Sequence, residues 1–242
     1  LLERATGALA RRAAGADKAL KIIAVTLDSA ELALSPVTAT LMDLMHSHEH
    51  VAALVAELCT MVSEQPINRL GVELIREIGR LDGSDSKGNG IRFVAPFLPA
   101  LAEARPRLVL QHLALILPHL QAEAYYLRSA MIQAIAHILE YLGKNEVNQE
   151  QAAEVPDETS GDDGPSTPDS SKSRDALFEI LAERVYDITS FTRSAALKAW
   201  TSLVTSNTLP KTMLLPVTKL AIDRLQDKTA VARKQAMVLL TC

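Results

Sequence analysis

Aromatic residues are scarce in this chain: one Trp, four Tyr and four Phe among 242 residues. No stretch shows the strict alternation of β-branched residues that marks a strand, so a sheet is not expected. Only two cysteines occur, Cys59 and Cys242. They exclude a disulfide framework, suggest a reducing compartment, and read as buried fillers on helices. There is no signal peptide and no apolar run long enough to span a bilayer. Gly-rich phosphate loops, nucleophile elbows and paired-carboxylate signatures are also missing, so neither an enzyme nor a cofactor is expected. The chain has no initiator Met and no polar capping repeat at either end, and it reads as an internal piece of a longer protein.

What is present is a repeat. Asp187-Ile188-Thr189-Ser190-Phe191-Thr192-Arg193-Ser194-Ala195-Ala196 overlays Asp227-Lys228-Thr229-Ala230-Val231-Ala232-Arg233-Lys234-Gln235-Ala236 at an offset of forty residues. Asp, Thr, Arg and Ala recur in register. A third copy is centred on Arg128-Ser129-Ala130. A period near forty is the mark of paired helices stacked into an all-α, HEAT/armadillo-like α-solenoid, an α-α superhelix. A curved array of roughly five or six helical pairs is expected. Asp187 and Asp227 should start helices, their carboxylates accepting from free N–H groups of the first turn. Arg128, Arg193 and Arg233 should be structural, the last two pairing with an Asp of a neighbouring repeat. Trp200 lies on the apolar stripe with Ala196, Ala199, Leu203 and Val204 and should be core. Tyr125 and Tyr126 are read the same way.

Arg128 and Arg193 are sixty-five residues apart, one period plus an excess. The excess falls in residues 144–173, which are rich in Glu, Asp, Ser, Pro and Gly and lack aromatics. Such a segment buries too little apolar surface to offset chain entropy, and a disordered acidic insertion is expected there. The organisation is then helical repeats over 1–143, the insertion over 144–173, and repeats again over 174–242. Thr167 precedes Pro168 inside the insertion and is a candidate phosphosite for a proline-directed kinase. Elsewhere, Ser35-Pro36 reads as a helix start, residues 49–63 and 67–81 as helices, 82–90 as a turn, and 91–104 with 107–119 as a pair separated at Pro106.

The net charge of −4 is unevenly placed. Acidic residues dominate the insertion, and basic ones prevail from Arg174 onward. Lys198, Lys211, Lys219, Arg224, Lys228 and Lys234 are candidates for a DNA-facing surface; a solvated helical face is the plainer reading. His46, His48 and His50 alternate around Glu49, and His46 and His50 would share a helical face. A third metal ligand at suitable spacing is missing, so a solvated turn is expected and no metal site.

Four runs carry a family resemblance. Residues 90–106 include the helix end Leu101-Ala102-Glu103-Ala104-Arg105-Pro106. Then come Leu117-Pro118-His119-Leu120-Gln121-Ala122-Glu123-Ala124-Tyr125-Tyr126-Leu127-Arg128 and the run from Glu183 to Ser194, followed by Leu197 and Trp200. The last is Ala221 to Ala236. Over residues 88–242 the chain resembles the condensin complex subunit 1 family, which also shows a variable linker between the second and third runs. The resemblance is weaker over 1–87, where Glu73-Leu74-Ile75-Arg76-Glu77-Ile78 is the best piece. It implies a non-catalytic HEAT-repeat scaffold of condensin I that binds the kleisin subunit, contacts the ATPase heads of the SMC pair, helps engage chromosomal DNA, and serves mitotic chromosome condensation. It implies a nuclear and chromosomal location with a cytoplasmic pool, and neither a membrane nor a small-molecule substrate. No short motif carries individual kleisin or DNA contacts across. Another HEAT scaffold, such as a karyopherin or phosphatase scaffold subunit, would share the Asp and Arg pattern. It need not share the Glu123-to-Arg128 run or the insertion beside it. An enzyme with a helical domain would need a polar constellation that this stretch does not contain.

Overall fold

A computed structural model describes residues 16–29, 34–61, 70–81, 90–153 and 168–242. The described residues are helical with no strand, and the fold is the expected all-α solenoid class. The helices are α1 (Ala16–Ser29), α2 (Leu34–Ser47), α3 (Val51–Met61), α4 (Leu70–Gly79), α5 (Gly90–Val94), α6 (Phe97–Ala104), α7 (Pro106–Gln111) and α8 (Leu113–Ile116). A 3-10 turn over Leu117–Gln121 leads to α9 (Tyr125–Ala153). Then come α10 (Pro168–Arg184), α11 (Ser190–Thr205), α12 (Lys211–Arg224) and α13 (Ala230–Leu240).

Proline sets several of these boundaries. The helix expected over 91–104 is split by a turn at Ala95–Pro96, because Pro96 has no N–H with which to continue the ladder. Pro99 is tolerated because it falls in the first turn of α6, where N–H groups lack intrahelical partners anyway. Pro106 opens α7, and Pro118 converts the end of the expected 107–119 helix into a 3-10 turn. The helix expected from Ser35-Pro36 begins at Leu34, with Pro36 in its first turn. Of the turn expected over 82–90, residues 82–89 lie outside the described residues, and Gly90 already opens α5.

The expected insertion is entered by helix from both sides. α9 runs on through Ala153 and α10 begins at Pro168. The residues concerned, polar Glu146, Gln149, Glu150 and Gln151 and small Ala152 and Ala153, are strong helix formers although they offer little apolar surface. Low apolar content identified a segment that cannot build a core, which is not the same as one that cannot continue a helix. Residues 154–167, including Thr167, lie outside the described residues.

Packing divides the chain between Ala134 and Ile135, within α9. In the first unit the helices stack in two layers: α1 on α3 and α3 on α6, with α2 on α4 and α4 on α8. Leu20, Met45, Val55, Leu58, Leu74, Ile78, Phe97 and Leu101 are fully enclosed. In the second unit α10 packs on α11, and both α11 and α12 pack on α13. Ala196, Ala232 and Ala236 have no exposed surface, and such small side chains let α11 and α13 approach closely. Trp200 is fully buried, its ring stacked on Phe178 at 5.7 Å between centroids and 14° between planes. At Gly143 a Cβ would stand 2.6 Å from the Thr208 Cβ, so that approach requires glycine. Each large side chain withdrawn from water stabilises its unit by about 1.5–3 kcal/mol.

Candidate functional site

The repeat residues converge at the turns that join one helix to the next. Arg128 donates from Nη1 to the carbonyl oxygens of Ala122 at 2.6 Å and Glu123 at 2.9 Å. Arg193 donates from Nη1 to the carbonyls of Asp187 at 2.9 Å and Ile188 at 3.1 Å. Arg233 donates from Nη1 to the carbonyl of Asp227 at 2.7 Å. In all three copies the guanidinium reaches back six residues and fastens the turn ahead of its own helix. Main-chain carbonyls at a turn otherwise lack partners, and a cationic donor satisfies them without further backbone.

In the second unit Arg193 also bridges forward. Its Nε donates to Asp227 Oδ2 at 2.7 Å and its Nη2 to Oδ1 at 2.8 Å, a two-pronged pair between successive repeats. Both side chains are almost wholly enclosed, at 5% and 2% exposure. Asp227 Oδ1 accepts from the Thr229 N–H at 2.9 Å and its hydroxyl at 2.8 Å. Hydrogen bonds from Arg193 first, and then from Thr229, outweigh burial and hold the Asp227 carboxyl well below the usual carboxylate range. Asp187 makes the equivalent bond to the Thr189 N–H at 2.8 Å.

Neither Asp caps a helix, contrary to the sequence expectation. Thr189 and Thr229 occupy the cap positions of α11 and α13, and each Asp stands two residues earlier. The carboxylate closes a short turn instead of entering the helix, which leaves Asp227 free to meet Arg193. Arg184 and Arg224 belong to the pattern and were missed. They stand 3.9 Å from Asp187 and 3.6 Å from Asp227 respectively, and they too are forty residues apart, so the same offset identifies them.

The candidate cations differ among themselves. Lys198, Lys211, Lys219, Lys228 and Lys234 are exposed, spread over α11, α12, α13 and the turn before α13. Arg224 is not an outward-facing cation. Its side chain is 22% exposed, near Asp227, with its guanidinium carbon 4.6 Å from the Tyr186 ring centroid. Tyr125 and Tyr126 are half-buried, with ring centroids 3.9 Å apart and Arg92 over Tyr126. Cys59 is buried, and burial pushes its thiol up to about 12, out of reach of thiolate chemistry at neutral pH. Cys242 is exposed, not a buried filler. His48 and His50 stand 6.0 Å apart, and among the described residues no three His, Cys, Asp or Glu side chains gather as metal ligands. None of the described helices is long and apolar enough to cross a membrane.

Comparison with known proteins agrees with the residue pattern. The chain is 29% identical over 220 residues to the condensin-1 complex subunit CAP-D2 of Arabidopsis thaliana, covering 84% of the chain and 14% of that protein. It is 29% identical over 212 residues to condensin complex subunit 1 of Homo sapiens, covering 84% of the chain and 13% of that protein. Over 206 residues it is 27% identical to the Mus musculus protein of the same name, covering 84% and 14%. The chain therefore spans about one seventh of the length of the curated relatives it matches. No family model matches. The resemblance read from the residues holds: the chain is related to condensin complex subunit 1.

Proposed function

We propose that this relative of condensin complex subunit 1 is a non-catalytic HEAT-repeat scaffold of a condensin complex, acting in mitotic chromosome condensation in the nucleus and on chromosomes. The observation that carries the reading is the similarity to proteins of that name over 84% of the chain. The locked junctions support the scaffold part. Their recurring arginines are bonded to turn carbonyls or to the Asp of the next repeat, as expected where each repeat contacts only its neighbours. Partners consistent with the reading are the kleisin subunit and the SMC ATPase heads.

The test is affinity purification of the endogenous tagged protein from mitotic cells, with identification of bound proteins. Recovery of an SMC pair and a kleisin in stoichiometric amounts is the expected result. A karyopherin's cargo or a phosphatase catalytic subunit in their place overturns it.

Contact with chromosomal DNA is the finer part of the reading. Exposed Lys198, Lys211, Lys219, Lys228 and Lys234 support weak, sequence-independent phosphate binding. Fluorescence anisotropy with duplex DNA should show affinity falling as salt rises, and Lys211→Glu/Lys219→Glu should weaken it. Equal binding by the parent and the variant at low salt removes these lysines from the DNA contact.

A further inference from the structure

The two successive turns of the second unit enclose an open concavity of about 380 Å3 that the Asp–Arg lock does not fill. Its floor is the Arg193–Asp227 pair. Tyr186 and Ile188 line it from the first turn, and Gln226 and Lys228 from the second, with Arg224 beside Tyr186. The Arg224 Nε is buried there without a hydrogen-bond partner.

The repeat register shows which of these residues the fold requires. Asp, Thr and Arg are kept at both turns, because they fasten them. Tyr186 and Ile188 correspond at the forty-residue offset to Gln226 and Lys228. These four positions have no shared identity, and their side chains do not serve the lock. Ile188 is 87% exposed and Tyr186 52%, while Gln226 and Lys228 are also exposed. One lip of the concavity is therefore apolar and the other polar and cationic. A lone exposed Ile is ordinary. An Ile and a Tyr facing an amide and a lysine across a concavity of side-chain size are a recognition surface.

The floor pair is internally neutral, since Asp227 and Arg193 hold each other. The accessible cations of the lining are then Lys228 and the partly exposed Arg224, which stands 3.6 Å from Asp227. The exposed Asp223 carboxylate accepts from the Tyr186 hydroxyl at 3.3 Å and bounds the other lip. We propose that this concavity docks an extended acidic peptide. An aliphatic side chain of the peptide packs on Ile188 and Tyr186, a carboxylate meets Lys228 and Arg224, and the Gln226 carboxamide bonds the peptide main chain. Extended peptides present alternate side chains to one surface, so the aliphatic and acidic residues stand two apart. Nucleic acid is a poorer match. A duplex needs a run of accessible cations, and this lining offers Lys228 and the partly exposed Arg224 alone. Stacking a base needs a bare ring, and the Arg224 guanidinium lies over Tyr186. This site is independent of membership in a condensin complex.

The test is to pan a random heptapeptide library on the 242-residue chain and, in parallel, on an Ile188→Ser/Lys228→Glu variant. Both positions are outside the core, and circular dichroism confirms that the variant stays folded. The expected result is enrichment of peptides with an aliphatic residue two places from Asp or Glu. A fluorescein-labelled consensus peptide should bind the variant about ten-fold or more weakly, the effect of one lost anchor. Its Asp→Lys counterpart should not bind the parent. No enrichment, enrichment shared by the variant, or equal binding of the Lys counterpart overturns the proposal. So does complete displacement of the consensus peptide by duplex DNA at 150 mM salt, roughly physiological, for that outcome makes the groove a phosphate site.

Discussion

The two units join successive helices by different chemistry. In the first, side chains reach across to main-chain carbonyls. A His119 ring nitrogen lies 2.7 Å from the Ile78 carbonyl oxygen, and Arg105 Nη2 donates to the carbonyls of Cys59 at 3.5 Å and Thr60 at 3.3 Å, where α3 ends. In the second, a side chain meets a side chain, Arg193 with Asp227. A carbonyl acceptor is supplied by every residue, so the His119 contact places no demand on the identity of residue 78 beyond its packing. A carboxylate must be encoded. A junction built on two encoded partners leaves both in the sequence period, and a junction built on the main chain leaves at most its donor, as the repeat arginines do.

Core packing should not distinguish the units, and it gives the largest effects. Trp200→Ala in the second unit and Phe97→Ala in the first each remove a fully buried ring and should each cost about 3–5 kcal/mol. Urea unfolding measures this. Circular dichroism reads both variants, and in Phe97→Ala the fluorescence of Trp200, the only Trp, follows the second unit alone. A cost below about 1 kcal/mol for Trp200→Ala would place the indole in solvent and end the equivalence.

The junctions should separate the units. Asp227→Ala leaves the Arg193 guanidinium enclosed without its counter-charge and should cost about 3–5 kcal/mol. Replacing both partners, Arg193→Met with Asp227→Leu, should recover most of that loss, since an apolar pair carries no desolvation debt. His119→Ala removes one buried hydrogen bond together with part of a ring and should cost about 1–3 kcal/mol. If Asp227→Ala proves no worse than His119→Ala in urea unfolding, the contrast between encoded and main-chain junctions has no energetic content.

Acid sharpens the same contrast. The folded Asp227 carboxyl is depressed below its unfolded value, which lies near 4 as a rough figure. Between those two values the unfolded chain binds a proton that the folded chain refuses, so unfolding gains as pH falls. The stabilisation is whole above about pH 5 and is lost progressively below pH 4 as the folded value is approached. Urea midpoints read by Trp200 fluorescence from pH 6 to pH 2.5 should fall in the parent. Asp227→Asn should remove this contribution to the slope. An unchanged slope in Asp227→Asn assigns the acid lability to other carboxylates.

Legibility followed the same physics. Arg193 and Asp227 could be read as a fastening because both partners are side chains held at a constant spacing. The position of Asp187, two residues ahead of the helix cap, could not, since cap and pre-cap carboxylates look alike without the backbone turn. The lip formed by Tyr186 and Ile188 was not legible either. It depends on what the repeat varies, and one pair of turns shows variation only after the conserved lock has been placed in space. Arg224 reads in sequence as one more cation of the C-terminal basic excess; its contact with the Tyr186 ring is tertiary.

The smallest effect tests the stretch where helix runs into the residues expected as an insertion. Glu146, one turn beyond Gly143 on α9, forms an ion pair with Arg174 of α10, whose guanidinium also lies 5.8 Å from the Phe178 ring centroid. Glu146 is 45% exposed and Arg174 13%. Water competes for the carboxylate, and screening leaves such a partly exposed pair worth about 0.2–1 kcal/mol. Glu146→Ala should fall in that range in urea unfolding, and high salt should remove the difference from the parent. Arg174→Ala should cost more than Glu146→Ala, because the arginine stem also covers Phe178 and loses packing as well as charge. Equal costs would make the pair purely electrostatic. A cost above about 2 kcal/mol for Glu146→Ala would show that this stretch of α9 is anchored as firmly as the repeats themselves.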